Sequence, residues 1–153
     1  LTDLVAYNEY FGWYYSALFA RNTGVGEDVL RPLMLNLMAD MTISAAVNKP
    51  VLISEFGAGA KYGRRGGEPT IWSEEYQAKV YQQQINMLRN SEQVQGMTPW
   101  ILKDFRAMLR PLAGVQDYYN RKGLLDENGN KKQAYFVLRD FYQQEWGDQG
   151  GEN

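Results

Sequence analysis

Apolar residues recur along this chain as short runs and long stripes that alternate three times, and the alternation predicts strand, loop and helix in succession. Leu4-Val5-Ala6-Tyr7 predicts a first strand. From about Glu27 to Val47, the residues Val29, Leu30, Leu33, Met34, Leu37, Met38 and Met41 fall at helical spacing, a methionine-rich stripe that suits a core face better than a cofactor box. Val51 to Glu55, entered through Lys49-Pro50, predicts a second strand of the kind buried inside a parallel sheet. A glycine-rich loop follows from Gly57 to Gly67. Ser73 is placed to cap a helix whose first turn carries Glu74 and Glu75, where the positive end of the helix dipole favours anions. Tyr76, Val80, Tyr81, Ile85, Met87 and Leu88 then fall within about half the cylinder at roughly 3.6 residues per turn. A third strand is predicted from Gly96 to about Leu102, and a last helix carries Ala134, Val137, Leu138, Phe141 and Tyr142 at spacings of one helix face. Periodicity is lost from Gly147 to Asn153, which predicts a domain over residues 1–146 and a frayed tail over 147–153. Three such units imply parallel strands joined by right-handed crossovers.

Composition narrows the chemistry. With 153 residues and a formal charge of −2, the chain can bury a real core and shows no basic bias toward nucleic acid. The basic pair Arg64-Arg65 sits among glycines and reads as solvated loop. No apolar stretch approaches the roughly 20 residues of a membrane span, and the first residues lack the layout of a signal peptide, so any secretion signal would lie elsewhere. The chain has no cysteine and no histidine, which removes thiolate nucleophiles, Cys/His metal sites and every Ser-His-Asp or Cys-His mechanism. Carboxylates, lysine and tyrosine remain. Gly57-Ala58-Gly59-Ala60-Lys61-Tyr62-Gly63 follows a strand, yet its glycine spacing is one residue too long for a dinucleotide fingerprint and it does not open into a helix. It reads as flexible ground beside a pocket. Glu55, where the second strand breaks into glycine, has two readings from spacing alone: a carboxylate that emerges into solvent, or one held at the carboxyl end of a strand for chemistry.

Several segments taken in order carry a resemblance. Ile53-Ser54-Glu55-Phe56-Gly57-Ala58 resembles the nucleophile motif of glycoside hydrolase family 2, the retaining β-galactosidase and β-glucuronidase family. Asn8-Glu9-Tyr10-Phe11-Gly12-Trp13-Tyr14 resembles the stretch after the sixth strand of that family's barrel. Trp72-Ser73-Glu74-Glu75-Tyr76-Gln77 is similar to the start of its seventh helix, Gly96-Met97-Thr98-Pro99-Trp100 through Asp104-Phe105 to its eighth strand, and Asn120-Arg121-Lys122-Gly123-Leu124 to the loop before its last helix. The matches cover nearly the whole chain.

The resemblance implies an α/β fold, the C-terminal portion of a (β/α)8 TIM barrel with about strands six to eight and their helices. A closed barrel usually needs about 250 residues. A three-strand slice would leave sheet edges and helix faces bare, to be covered by a missing N-terminal barrel segment or by copies of the chain. Glu55 becomes the attacking carboxylate. The proton donor of the family is a Glu directly after Asn at the fourth strand, a point upstream of this chain; Asn8-Glu9 imitates that pair, but its neighbours match the sixth-strand motif, so Glu9 is expected to be a loop carboxylate without a catalytic role. Sugars present C–H faces that stack on aromatic rings. Tyr14 is expected beside the nucleophile and Trp100 as the floor of the sugar subsite, with Asn8 and Tyr10 in the pocket wall. Asn120 and Lys122 match the Asn-x-Lys that grips a uronic acid carboxylate in the family's β-glucuronidases. Gln116 stands where bacterial relatives of that kind have an arginine, which leaves a galactoside or other β-glycoside open, as does a non-catalytic carbohydrate-binding or structural module. For Lys122 alone the plain alternative is a solvated loop lysine. No metal or organic cofactor is implied.

Overall fold

The computed structural model describes residues 3–10, 12–13, 49–68, 70–90 and 92–147. The helix expected over Glu27 to Val47, Tyr14, and the tail beyond Gly147 lie outside the described residues. Two compact units share the chain, one of Leu1–Ala58 with Gln83–Trp100 and the other of Gly59–Gln82 with Ile101–Asn153.

The first unit holds a parallel sheet in the order β1 (Val5–Asn8), β2 (Val51–Phe56), β3 (Val94–Pro99). Its central strand is the apolar run expected to be most enclosed: Val51 and Phe56 are fully buried and Ile53 nearly so. Register is regular where β1 meets β2, with Val5 opposite Val51, Ala6 opposite Leu52 and Tyr7 opposite Ile53, and then slips so that Asn8 faces Glu55. On the other side the pairing of β2 with β3 slips again between Ile53 and Phe56. The third strand begins earlier than its sequence suggests and stops at Pro99, which has no N–H to donate to a ladder. The N–H groups of Ile101 and Asp104 bond instead to the carbonyls of Lys122 and Leu125.

The second unit contains a two-stranded antiparallel ribbon, β4 (Phe105–Arg106) with β5 (Tyr119–Asn120), and the helix α2 (Gln133–Gly147). It also takes the first half of α1 (Glu74–Arg89). The cap expected of Ser73 is present: its Oγ accepts the Tyr76 N–H at 3.0 Å and donates to the Gly67 carbonyl at 3.0 Å. Tyr76, Val80, Tyr81 and Ile85 are buried as their spacing predicts, but Gln77 and Gln84 are fully buried beside them. Gln77 donates from its amide to the Gly123 carbonyl at 3.2 Å, a partner that periodicity cannot announce. Ala134 and Leu138 of α2 are buried, whereas Tyr142, on the same predicted stripe, is 39% exposed. An apolar groove of about 450 Å³ runs along that face, lined by Leu102, Leu124, Tyr135, Leu138 and Tyr142. Among the described residues no helix is long and apolar enough to cross a membrane.

Ser73→Ala removes the cap of α1 and is expected to cost about 1 kcal/mol. A urea-unfolding midpoint unchanged from wild type would show that the first turn is held by its other contacts.

Candidate active site

Strict alternation along β2 would put residues 51, 53 and 55 on one face. Burial follows 51, 53 and then 56, because the irregular pairing adds a residue at Ser54–Glu55 and carries Glu55 off the packed face. Polar side chains take up backbone groups where the ladder is irregular. The Ser54 hydroxyl lies 2.8 Å from the Tyr7 carbonyl and 2.8 Å from Asn8 Oδ1, and the Thr98 hydroxyl donates to the Ser54 carbonyl. The Glu55 carbonyl accepts the Glu9 N–H at 2.7 Å and the Phe56 carbonyl accepts the Trp100 N–H at 2.8 Å. The carboxyl ends of all three strands are thus bound together around Glu55.

Glu55 is half-buried, and the Tyr10 hydroxyl donates to its Oε2 at 2.7 Å. Tyr10, expected in the pocket wall, is thus in direct contact with the carboxylate; Tyr14, expected beside it, lies outside the described residues. Asn8 is exposed and engaged with Ser54, and Trp100 is half-buried beside the end of β2. Glu9 is a loop residue as expected but only 4% exposed. Tyr10, Glu55, Asn8 and Trp100 therefore gather in the first unit.

Asn120 and Lys122 belong to the second unit. Asn120 ends β5, and its Oδ1 accepts the Lys122 N–H at 3.1 Å, an Asx-type turn that sets the local backbone. Lys122 is 6% exposed, so the solvated-lysine reading does not hold. Gln116 is buried nearby in sequence, within a turn where the Leu112 carbonyl accepts the N–H groups of residues 115, 116 and 117.

Beneath this loop lies a cluster of buried charge. Lys132, fully buried, donates to Asp104 Oδ1 and Oδ2 at 2.8 and 2.9 Å, to the Ala60 carbonyl at 2.7 Å and to the Arg121 carbonyl at 3.2 Å. Asp104 also accepts the Gly123 N–H at 2.8 Å and Arg121 Nη1 at 3.3 Å, while Arg121 pairs in addition with Glu127. Two cations and two carboxylates thus balance. Burial raises the Asp104 carboxyl above its ordinary range and lowers the Lys132 ammonium below its own, each opposed by the contact between them. Gly123 is required by close approach: a Cβ there would meet Asp104 N at 2.3 Å and the Leu125 carbonyl at 2.5 Å. Sequence reading assigned nothing to Lys132 or Arg121. The only available signal was Asp104, a carboxylate ending an apolar run.

The Gly57–Gly67 loop, expected to be flexible, is tied along its length. Ala60 N–H bonds to the Arg121 carbonyl at 2.9 Å and Lys61 N–H to the Trp72 carbonyl at 3.1 Å; Gly63 N–H bonds to Glu74 Oε1 at 2.8 Å. The other Glu74 oxygen accepts the Gln133 N–H at 2.9 Å, so this carboxylate also satisfies the first turn of α2. Lys61 reaches Asp117 Oδ2 at 2.9 Å and the Gly114 carbonyl at 3.1 Å, latching the loop to the turn before β5. Arg64 and Arg65 are exposed, with Arg65 paired to Glu75. Among the described residues no group of three or more acidic side chains is placed to hold a metal ion.

No family model matches the chain. It is 29% identical to the β-glucuronidase of Mus musculus over 151 residues, which is 97% of this chain and 22% of the mouse protein. Among solved structures it is similar to a GH2 β-galacturonidase from Eisenbergiella tayi bound to galacturonate, with 30% identity and a TM-score of 0.74 over 93% of this chain and 24% of that one. The β-glucuronidase of Ruminococcus gnavus is 26% identical, with a TM-score of 0.75 over 93% of this chain and 22% of its own. The chain spans about a quarter or less of the length of these relatives.

The Lys61–Asp117 latch has a pH signature. The Lys61 ammonium, followed by the Gly114 N–H, holds the Asp117 carboxyl below the ordinary aspartate range. A carboxyl lowered in the folded state adds stability above its unfolded value, and that stability is lost as pH falls through the lowered folded value. Asp117→Asn should therefore unfold at lower urea than wild type at pH 7, with the difference starting to shrink only as pH falls below about 4 and vanishing below the lowered folded value. A difference that stays constant across this range would place the stabilisation elsewhere.

Proposed function

From the premise that the chain belongs to glycoside hydrolase family 2, we propose that it is the part of a retaining β-glycosidase that carries the catalytic nucleophile, Glu55, and that the sugar is a β-glucuronide or a related uronide. The parallel order β1, β2, β3 agrees with strands six to eight of a (β/α)8 barrel, in which chemistry sits at the carboxyl ends of the strands. One observation carries the reading: a half-buried carboxylate at the end of the central strand, oriented by a tyrosine hydroxyl 2.7 Å away.

Tyr10 occupies Oε2, so attack is assigned to Oε1. The Glu55–anomeric carbon bond forms as the glycosidic C–O bond breaks, and the departing oxygen takes a proton from an acid on the opposite side of the bond. Water then cleaves the glycosyl ester and returns the carboxylate. The Tyr10 hydrogen bond fixes the carboxylate without blocking its second oxygen. Trp100 offers an apolar ring to the sugar face, and Asn8 lies at the rim. Asn120 and Lys122 supply an amide and an ammonium for a sugar carboxylate. The galacturonate-bound neighbour and the β-glucuronidases both favour a uronic acid over a neutral sugar.

Activated 2-deoxy-2-fluoro-β-glycosides leave without needing a proton, so they test the nucleophile alone. Intact-mass spectrometry after incubation with the glucuronide, galacturonide and galactoside reagents is expected to show a single adduct on the peptide containing Glu55, fastest with a uronide and absent in Glu55→Gln. Tyr10→Phe should slow labelling by about 10- to 100-fold, the worth of a hydrogen bond to a charged group. No adduct with any sugar, from a chain folded by circular dichroism, would replace this reading with a non-catalytic carbohydrate-binding or structural module.

A further inference from the structure

We infer that Arg121, the middle residue of Asn120-Arg121-Lys122, is a positioning residue for the sugar-carboxylate grip, holding the flanking side chains in register from beneath. This rests on the assignment of Asn120 and Lys122 to a uronic acid.

An arginine between two binding residues is ordinarily free to face solvent. Arg121 is 4% exposed. Its guanidinium meets Asp104 at 3.3 Å and Glu127, its Nε donates to the Val115 carbonyl at 3.2 Å, and it stacks on the Tyr119 ring at 4.6 Å. Those contacts reach the residue before Asn120, the turn that leads into β5 and the segment after Leu125. The backbone is fixed as firmly: the Arg121 carbonyl accepts the Ala60 N–H and the Lys132 ammonium, the Lys122 carbonyl accepts the Ile101 N–H at 3.2 Å, and the Gly123 N–H is held by Asp104. Asp104 does not need Arg121 to offset its charge, because Lys132 already binds both its oxygens. What Arg121 adds is a link between the loop and the scaffold on either side of it. Burying a guanidinium is costly unless its hydrogen bonds are made, and apolar packing of the same volume would stabilise the unit at least as well. A fixed direction for the peptide between Asn120 and Lys122 is something apolar packing does not supply. Displacement of a binding group by about 1 Å is enough to lose much of its effect.

The test compares 2,4-dinitrophenyl 2-deoxy-2-fluoro-β-D-glucuronide with the corresponding galactoside on the full chain, separating the apparent affinity KI from the labelling rate kinact. Arg121→Gln leaves Asp104 paired with Lys132. It should raise KI for the glucuronide about tenfold, leave kinact within about twofold, and leave both constants for the galactoside unchanged; these magnitudes are those of a binding group displaced rather than removed. Arg121→Lys, which keeps the charge, should recover part of the loss. If Arg121→Gln alters the two sugars in parallel, or neither, while Asn120→Ala and Lys122→Ala abolish the uronide preference, Arg121 is merely structural and the inference fails with the site assignment intact. If Asn120→Ala and Lys122→Ala leave the preference untouched, the uronic acid assignment fails and takes this inference with it. Should Arg121→Gln unfold, the decision passes to Arg121→Lys: a selective rise in KI for the glucuronide upholds the inference, and a parallel change overturns it.

Discussion

The Asp104–Lys132 ion pair is the constraint on which the second unit depends. Three stretches far apart in sequence meet on it: the loop after β2 through the Ala60 carbonyl, the loop after β5 through the Arg121 carbonyl and the Gly123 N–H, and the entry to α2 through Lys132 itself. Removing one partner would leave a bare charge in the interior at a cost of about 3–5 kcal/mol. An apolar pair of equal volume could fill the space, but it would satisfy neither the two carbonyls nor the amide, and buried backbone groups without partners carry their own penalty. Glu74 does the same work a short way off. One carboxylate takes the Gly63 N–H from the glycine-rich loop and the Gln133 N–H from the first turn of α2. Buried charge here acts as a directional fastener for loops that have little apolar surface to hold them.

The first unit solves a different problem. A strand central to a parallel sheet is packed on both faces, which leaves no room for an ionised side chain. The irregular pairing at Ser54–Glu55 makes that room by departing from alternation for one step, and the hydroxyls of Ser54 and Thr98 bond to backbone carbonyls beside the departure. Glu55 is thereby presented at the strand end with Tyr10 against one oxygen. The serine before the glutamate and the threonine before Pro99 are best understood as parts of that bend.

Much of this was legible in the sequence. The apolar run Val51–Ile53 announced the buried strand, and the order of strand and helix announced parallel pairing, because parallel neighbours need long crossovers. Ser73 announced the start of α1. The errors share a cause. The end of β3 was placed too far along, at about Leu102, because Ile101 and Leu102 are apolar enough to extend a strand, yet Pro99 ends the ladder and the donors beyond it find the 122–125 segment. Loop 57–67 was read as flexible because glycine is permissive, although the N–H groups of Ala60, Lys61 and Gly63 are all bonded to partners that the sequence does not announce. Tyr10, expected in the pocket wall, donates directly to Glu55 at 2.7 Å.

Local pattern thus determined β1, β2, α1 and α2, the sheet's parallel sense, the broken end of β2 that carries Glu55, and the absence of any cysteine or histidine chemistry, but not the β4–β5 ribbon. It could not distinguish Lys131 from Lys132. The two are chemically identical neighbours, yet Lys131 is exposed with its ammonium 4.7 Å from the Tyr135 ring, while Lys132 is fully buried and holds two loops and a carboxylate. Periodicity ranks residues by what they lose on leaving water, and by that measure both lysines belong outside. Only the tertiary structure supplies the carboxylate and carbonyls that repay desolvation at one position and not the next, because those partners come from residues 11 to 72 positions away in the chain.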